Sequence, residues 1–256
     1  MIRALTLLLL LAGPASAQNA AAPESIVAGL SQTSVAITAD FSGSEILIYG
    51  AVKRETAIPD TPLAVIVTVE GPSTALTVRR KDRRFGIWVN TDAVTIDRAP
   101  SFYAITTTAP LDAILTDTEN LRHRISIPSA IRAVGMSAEA KDAPLFLESL
   151  LRIREAQGRY KLKEGQVALT EDTLFRADVE LPANLTEGDY RVRIFLTRGG
   201  VVVDALERSI NVRKAGLERL IFTLAQEQPL IYGLISLALA VAAGWGASAV
   251  FRLVRL

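Results

Sequence analysis

Cysteine is absent from the 256 residues, and histidine occurs once. The first absence excludes thiol catalysis, iron–sulfur clusters, zinc–thiolate sites, disulfides and a lipid-modified N-terminal cysteine. The second excludes a histidine-rich metal centre and leaves His123 as the sole imidazole for any Ser-His-Asp triad. His123 stands between Arg122 and Arg124 at a predicted helix end, where the dipole favours a cation, so a solvated capping role fits it better than catalysis. No G-x-S-x-G elbow accompanies it. A phosphate cradle is missing too: there is no G-x-x-x-x-G-K-[ST] loop and no G-x-G-x-x-G after a strand. The formal charge of +1 gives no bulk field to draw in nucleic acid. Carboxylates are scattered along loops without an evident acid/base couple. The expectation is a protein that is not an enzyme and needs no cofactor or metal.

Long apolar runs are confined to the two ends. Arg3 precedes Ala4–Ala12, an uncharged stretch with five consecutive leucines. Gly13-Pro14 breaks it, and Ala15-Ser16-Ala17 supplies an A-x-A cleavage site, so residues 1–17 read as an export signal. That run is too short to cross a bilayer, which takes about 20 residues. The second run is longer: Leu230–Phe251 holds 22 positions without a charge. As a helix it is about 33 Å long, enough for a ~30 Å hydrocarbon core. Pro229 precedes it, and Tyr232 and Trp245 lie near its two ends, as interfacial rings do. Arginines and lysines flank the run on both sides, so charge alone does not orient it. The export signal does: residues 18–229 are expected in the periplasm and a tail, 252–256, in the cytoplasm.

Between these ends the first half reads as short strands. Val35–Thr38, Glu45–Val52, Leu63–Val69, Ala75–Arg80, Phe85–Asn90 and Ser101–Thr107 are apolar or β-branched and separated by turn residues. Glu45–Val52 looks apolar on both faces, as a strand buried between two layers would. A helical insert is expected at about 111–158, with one helix over Leu111–His123 and another over Pro144–Arg154 ended by Gly158. Strands resume at Gln166–Thr170, Leu174–Leu181, Tyr190–Thr197 and Val201–Val212, the last two joined at Gly199-Gly200. Leu185-Thr186-Glu187-Gly188-Asp189-Tyr190 places a tyrosine after a glycine turn at a strand start. That suits the tyrosine corner of an Ig-like sandwich, and equally an ordinary turn with an edge tyrosine. The fold class is therefore mainly β: an Ig-like β-sandwich over 18–213 with a helical insert. An amphipathic juxtamembrane stretch at 214–229 and a transmembrane helix at 230–251 follow it.

Two features carry interaction chemistry. Arg79-Arg80-Lys81-Asp82-Arg83-Arg84 sets five cations and one acid between two strands, just before Phe85-Gly86-Ile87-Trp88. This basic loop suits an oxyanion, a lipid headgroup or an acidic partner, with Trp88 as an apolar anchor; the plainer reading is a solvated tip with Trp88 in the core. In the apolar helix, Ala238, Ala242 and Gly246 recur every four residues, a face that lets another helix approach closely. Its plainer reading is a lipid-facing anchor.

Several strings also resemble a known family. Ser34-Val35-Ala36-Ile37-Thr38, Phe41-Ser42-Gly43-Ser44, Ile48-Tyr49-Gly50-Ala51, Arg79-Arg80-Lys81 with Gly86-Ile87-Trp88-Val89-Asn90, Pro100-Ser101-Phe102-Tyr103 and Gly188-Asp189-Tyr190 are similar to the alphaproteobacterial putative transmembrane protein family. The resemblance implies a bacterial inner-membrane protein, of a kind often encoded beside a sulfite-exporter-like permease. It carries over no functional residues. The leading expectation is a membrane-anchored accessory or assembly subunit of an inner-membrane transporter, its partners the lipid bilayer and an integral-membrane protein. The alternatives are an oxyanion-binding or sensing module and, least favoured, a periplasmic hydrolase.

Overall fold

The structure is a computed structural model that describes residues 24–38, 40–132, 142–215, 221 and 224–254. The expected export signal at 1–17, and residues 216–220 and 222–223 of the juxtamembrane stretch, lie outside the described residues.

Two sheets face each other. The first has the order β1-β3-β10-β9, with β1 Ser25–Leu30, β3 Gly43–Lys53, β10 Leu174–Pro182 and β9 Ala168–Thr170. The second runs β2-β12-β11-β4-β7-β8, with β2 Ser34–Ile37, β12 Val201–Lys214, β11 Gly188–Arg198, β4 Leu63–Glu70, β7 Tyr103–Thr107 and β8 Tyr160–Lys163. Assigning β1, β3, β10 and β9 to A, B, E and D, and β12, β11 and β4 to G, F and C, gives the Ig-like strand order. β2 pairs with β12 in parallel and β7 occupies the extra edge beside β4. β12 ends at Lys214, the first residue assigned from sequence to the juxtamembrane stretch.

Strand patterning explains the layers. β10 alternates, burying Phe175, Ala177, Val179 and Leu181 while Arg176 and Glu180 face water. Along β3, Ile46, Ile48 and Val52 are buried, whereas Leu47 is half-buried and Tyr49 exposed, so this strand buries one face and not two. Two strands are buried on both faces, β4 and its neighbour β7, every residue of which is covered. Val65, Val67 and Val69 meet the facing sheet together with Ile194, Val192 and Leu196, and Ile66 turns to a second core on the outer face. A fully buried aliphatic side chain is worth about 1.5–3 kcal/mol, so this shared strand carries a large part of the domain's stability. Gly50 permits the close approach of β1: a Cβ there would lie 2.5 Å from the Val27 carbonyl and 2.6 Å from the Phe175 ring.

The tyrosine corner is present. Tyr190 opens β11, is buried, donates its hydroxyl to the Thr186 carbonyl at 3.0 Å and accepts the Thr186 N–H at 3.2 Å. Its ring packs against Phe102, with centroids 6.2 Å apart.

The second core lies between the outer face of the larger sheet and the helical insert. Among the described residues, three short helices, α1 Leu111–Ile114, α2 Asp117–His123 and α3 Ile127–Ala130, precede α4 Ala143–Ala156. The single helix expected over Leu111–His123 is thus broken: Leu115 is extended and buried, and the Thr116 hydroxyl caps α2 by accepting the Glu119 N–H. Tyr103, Ile105, Phe195, Tyr160, Ile125 and Leu115 fill the space between. Arg193 latches the insert to the sheet, donating to the His123 carbonyl at 2.6 Å and to the Tyr103 hydroxyl and Arg124 carbonyl, each at 3.1 Å. His123 is not a solvated cap. It stacks edge-on against Phe195 and lies 3.5 Å from the buried Glu119 carboxylate.

Candidate functional site: a basic arm and a bare apolar helix

Between β4 and β7 the chain leaves the sandwich as a two-stranded ribbon, β5 Ser73–Arg84 and β6 Ile87–Pro100. The basic run at 79–84 is therefore strand and not loop; the turn is Phe85-Gly86. Both turn residues have positive φ, 51° and 86°, the signature of a type I′ connection. Strands this polar carry no period-2 signal, because both faces of a two-stranded ribbon are wet.

The base of the arm is tied to the body. The buried Glu70 carboxylate, at the end of β4, accepts from Arg191 of β11 at 2.6 Å and from Arg98 of β6 at 3.3 Å, and it takes the Ser73 hydroxyl at 3.2 Å. Leu76, Val78, Ile96 and Ala99 pack on Leu147 and Leu150 of α4. Arg80 is the outermost anchored residue. It reaches Asp92 at 2.5 Å and Asp142 at 3.0 Å, and its guanidinium lies 5.6 Å over the Phe146 ring. A cleft of about 420 Å³ separates β5 from α4, lined by Arg79, Arg80, Phe146, Glu148 and Arg152 among others.

Beyond Arg80 nothing is packed. Residues 81–88 are all exposed. Phe85 is fully exposed, Ile87 is 64% exposed and Trp88 is 67% exposed, so Trp88 does not join the core. Cross-strand pairing sets Arg83 opposite Trp88 and Lys81 opposite Asn90, and alternation puts Arg79, Lys81 and Arg83 on that same face. None of these three makes an ion pair among the described residues, and Arg84 has only a loose, exposed contact with Asp82 at 3.8 Å. The sequence brought all six of its arm residues to one ribbon, but it gave no sign that Arg80 is neutralised while its neighbours are free.

The other surface is α5, Pro229–Val254. Its stretch Pro229–Ser248 has a mean hydropathy of 1.8, with none of it buried against the domain. Leu234, Leu237, Ala238, Val241, Ala242 and Trp245 line an open groove along it. A Cβ added at Gly233, Gly244 or Gly246 would meet nothing within 4 Å. Among the described residues, nothing occupies the room those glycines leave.

Burial pushes the hydroxyls of Tyr103 and Tyr160 up to about 12, so both stay neutral, and each donates to a backbone carbonyl at 2.8 Å. Among the described residues, no group of three His, Asp or Glu side chains is placed to hold a metal ion.

Residues 25–253 match the family described as "Putative transmembrane protein (Alph_Pro_TM)". No curated protein matches the chain. Among solved structures, the sporulation control protein Spo0M from Bacillus subtilis aligns at 10% identity and a TM-score of 0.29. That alignment covers 80% of this chain and 56% of the other, so the chain spans little more than half the length of Spo0M.

Proposed function

The chain belongs to this transmembrane protein family, and on that premise we propose that it is a membrane-anchored accessory or assembly subunit and not an enzyme. In this reading the export signal places the sandwich in the periplasm, α5 crosses the inner membrane, and the C-terminus is cytoplasmic. The partner is an integral-membrane protein, with a permease of the sulfite-exporter type the first to test.

One observation supports it above the rest. Glycine in a helix costs about 1 kcal/mol relative to alanine. α5 carries three, and a Cβ at any of them would meet no other part of the described chain within 4 Å. Small residues in a membrane helix repay that cost when a second helix packs closely on them, and Ala238, Ala242 and Gly246 share one face. The experiment is affinity purification of the full chain from native membranes in mild detergent. A variant with Ala238, Ala242 and Gly246 all changed to Leu serves as the comparison. A stoichiometric integral-membrane partner, lost in the variant, is the expected result; purification with no membrane partner would sink the reading.

The cleft beside α4 supports a second reading, an oxyanion-binding module, because Arg79 and Arg152 both line it. It is less favoured, since Arg80 is already neutralised by two aspartates and Glu148 shares the cleft. A rise in Tm with sulfite, sulfate or phosphate, abolished by changing Arg79, Arg80 and Arg83 to Ala, would favour it.

A further inference from the structure

We propose that the tip of the β5–β6 arm, residues 79–88, docks into the headgroup layer of an anionic phospholipid bilayer, giving the sandwich a second membrane contact besides α5. Three independent features point there. The first is Phe85. It holds a positive φ of 51° at a turn position that favours Asn or Gly, and it is fully exposed. The fold thus bears a conformational strain at Phe85 and gains no packing in return, which is the mark of a residue kept for something outside the chain.

The second is the order of chemistry along the arm. Phe85 leads, Ile87 and Trp88 follow with Arg84 and Arg83 level beside them, and the unpaired cations Lys81 and Arg79 come behind on the Trp88 face. A bilayer surface presents these preferences in that sequence: apolar side chains enter about 5–10 Å, tryptophan settles at the headgroup level, and cations meet the phosphates. An acidic protein surface would reward the cations but has no use for an apolar leading end.

The third is the contrast with Arg80. Where the fold employs an arginine on this strand it supplies two aspartates, and one residue further out it supplies none to Lys81. Phe85 lies five residue steps along the ribbon from Arg80, roughly 17 Å at strand rise, so the tip clears the body. Because α5 already fixes the chain to a membrane, a weak second contact acts at high effective concentration. Each cation near an anionic surface is worth about fivefold in the bound-to-free ratio, so Arg79, Lys81 and Arg83 together supply about a hundredfold.

The test uses the full chain reconstituted in nanodiscs. Trp88 and Trp245 are the two tryptophans, so Trp245→Phe leaves Trp88 as the single reporter. Its fluorescence is read with brominated phospholipid as quencher, in phosphatidylglycerol discs and in phosphatidylcholine discs. Strong quenching and a blue-shifted emission in phosphatidylglycerol are expected, weakened at 0.5 M salt (about a 4–5 Å screening length) and lost when Arg79, Lys81 and Arg83 are changed to Ser. An unchanged Tm confirms that this variant is folded; Phe85→Ser, which leaves every cation in place, should reduce quenching as well. Solvent-like, unquenched emission in phosphatidylglycerol overturns the proposal, as does equal quenching in the two lipids. Emission that is solvent-like in both discs but shielded in native membranes also overturns it and assigns the tip to a protein.

Discussion

Glu24 is held between two arginines that come from distant parts of the chain. Arg198, at the end of β11, donates to its Oε2 at 2.6 Å and its Oε1 at 2.9 Å, and Arg54, just past β3, also donates to Oε1. All three side chains are nearly buried, with exposures of 7% for Glu24, 8% for Arg54 and 10% for Arg198. Glu24→Gln keeps the volume and removes the one negative charge. Each arginine retains a backbone acceptor, Asp172 for Arg54 and Thr61 for Arg198, but a carbonyl does not cancel a buried cation. Breaking such a pair costs about 3–5 kcal/mol, and the retained acceptors favour the lower end. At ~2–4 °C per kcal/mol for a domain of this size, Tm should fall by roughly 6–12 °C at pH 7. The pH dependence supplies the sign. Hydrogen bonding from Arg198 outweighs burial and holds the Glu24 carboxyl below its ordinary 4.5. Its stabilisation is therefore complete above pH ~4.5 and is lost as pH falls through the lowered folded value. Thermal unfolding of wild type and Glu24→Gln, followed side by side at pH 7 and near pH 3, should show a gap that narrows in acid. A gap under 2 °C at pH 7, or one that persists unchanged in acid, refutes the reasoning.

Two further perturbations separate sterics from strain. Gly50→Ala should lower Tm by several degrees, since overpacking of this kind costs about 1–3 kcal/mol and the nearest atom is the Val27 backbone oxygen, which cannot swing away; an unchanged or raised Tm would mean that β1 yields freely. Phe85→Asn should raise Tm by about 2 °C by relieving the positive φ, while removing the leading aromatic of the arm; a fall would show that Phe85 serves the fold after all.

Sequence patterning located most of the sandwich because its strands signal themselves. β10 alternates cleanly, β4 is nearly continuously apolar between Pro62 and Gly71-Pro72, and Gly188 ahead of Tyr190 made the corner one of two equal readings. β8 escaped notice: Tyr160-Lys161-Leu162-Lys163 is a four-residue edge strand that buries only its tyrosine fully. The break before α2 was written plainly as Thr116-x-x-Glu119, but the surrounding leucines suggested one long helix. Misplacing the turn of the arm has a clear cause. Charge reports exposure, not curvature, and the true turn pair begins with Phe, a residue that rarely takes positive φ. Which cations are free is not written locally at all: Asp142 neutralises Arg80 from another element, across 62 positions of sequence.

The two ends of the arm re-enter the sheet side by side. The Gly71 N–H donates to the Phe102 carbonyl at 2.8 Å and the Ser101 N–H to the Pro72 carbonyl at 2.9 Å, while β4 and β7 remain direct neighbours. The sandwich therefore closes below the ribbon and is indifferent to its length. Residues can be added or removed in pairs at the tip without shifting the register of either sheet, and doubling a loop costs only ~0.6 kcal/mol in closure entropy. The arm is a splice port: a reporter, an epitope or a different binding tip inserted at Phe85-Gly86 would be carried by an unaltered β-domain.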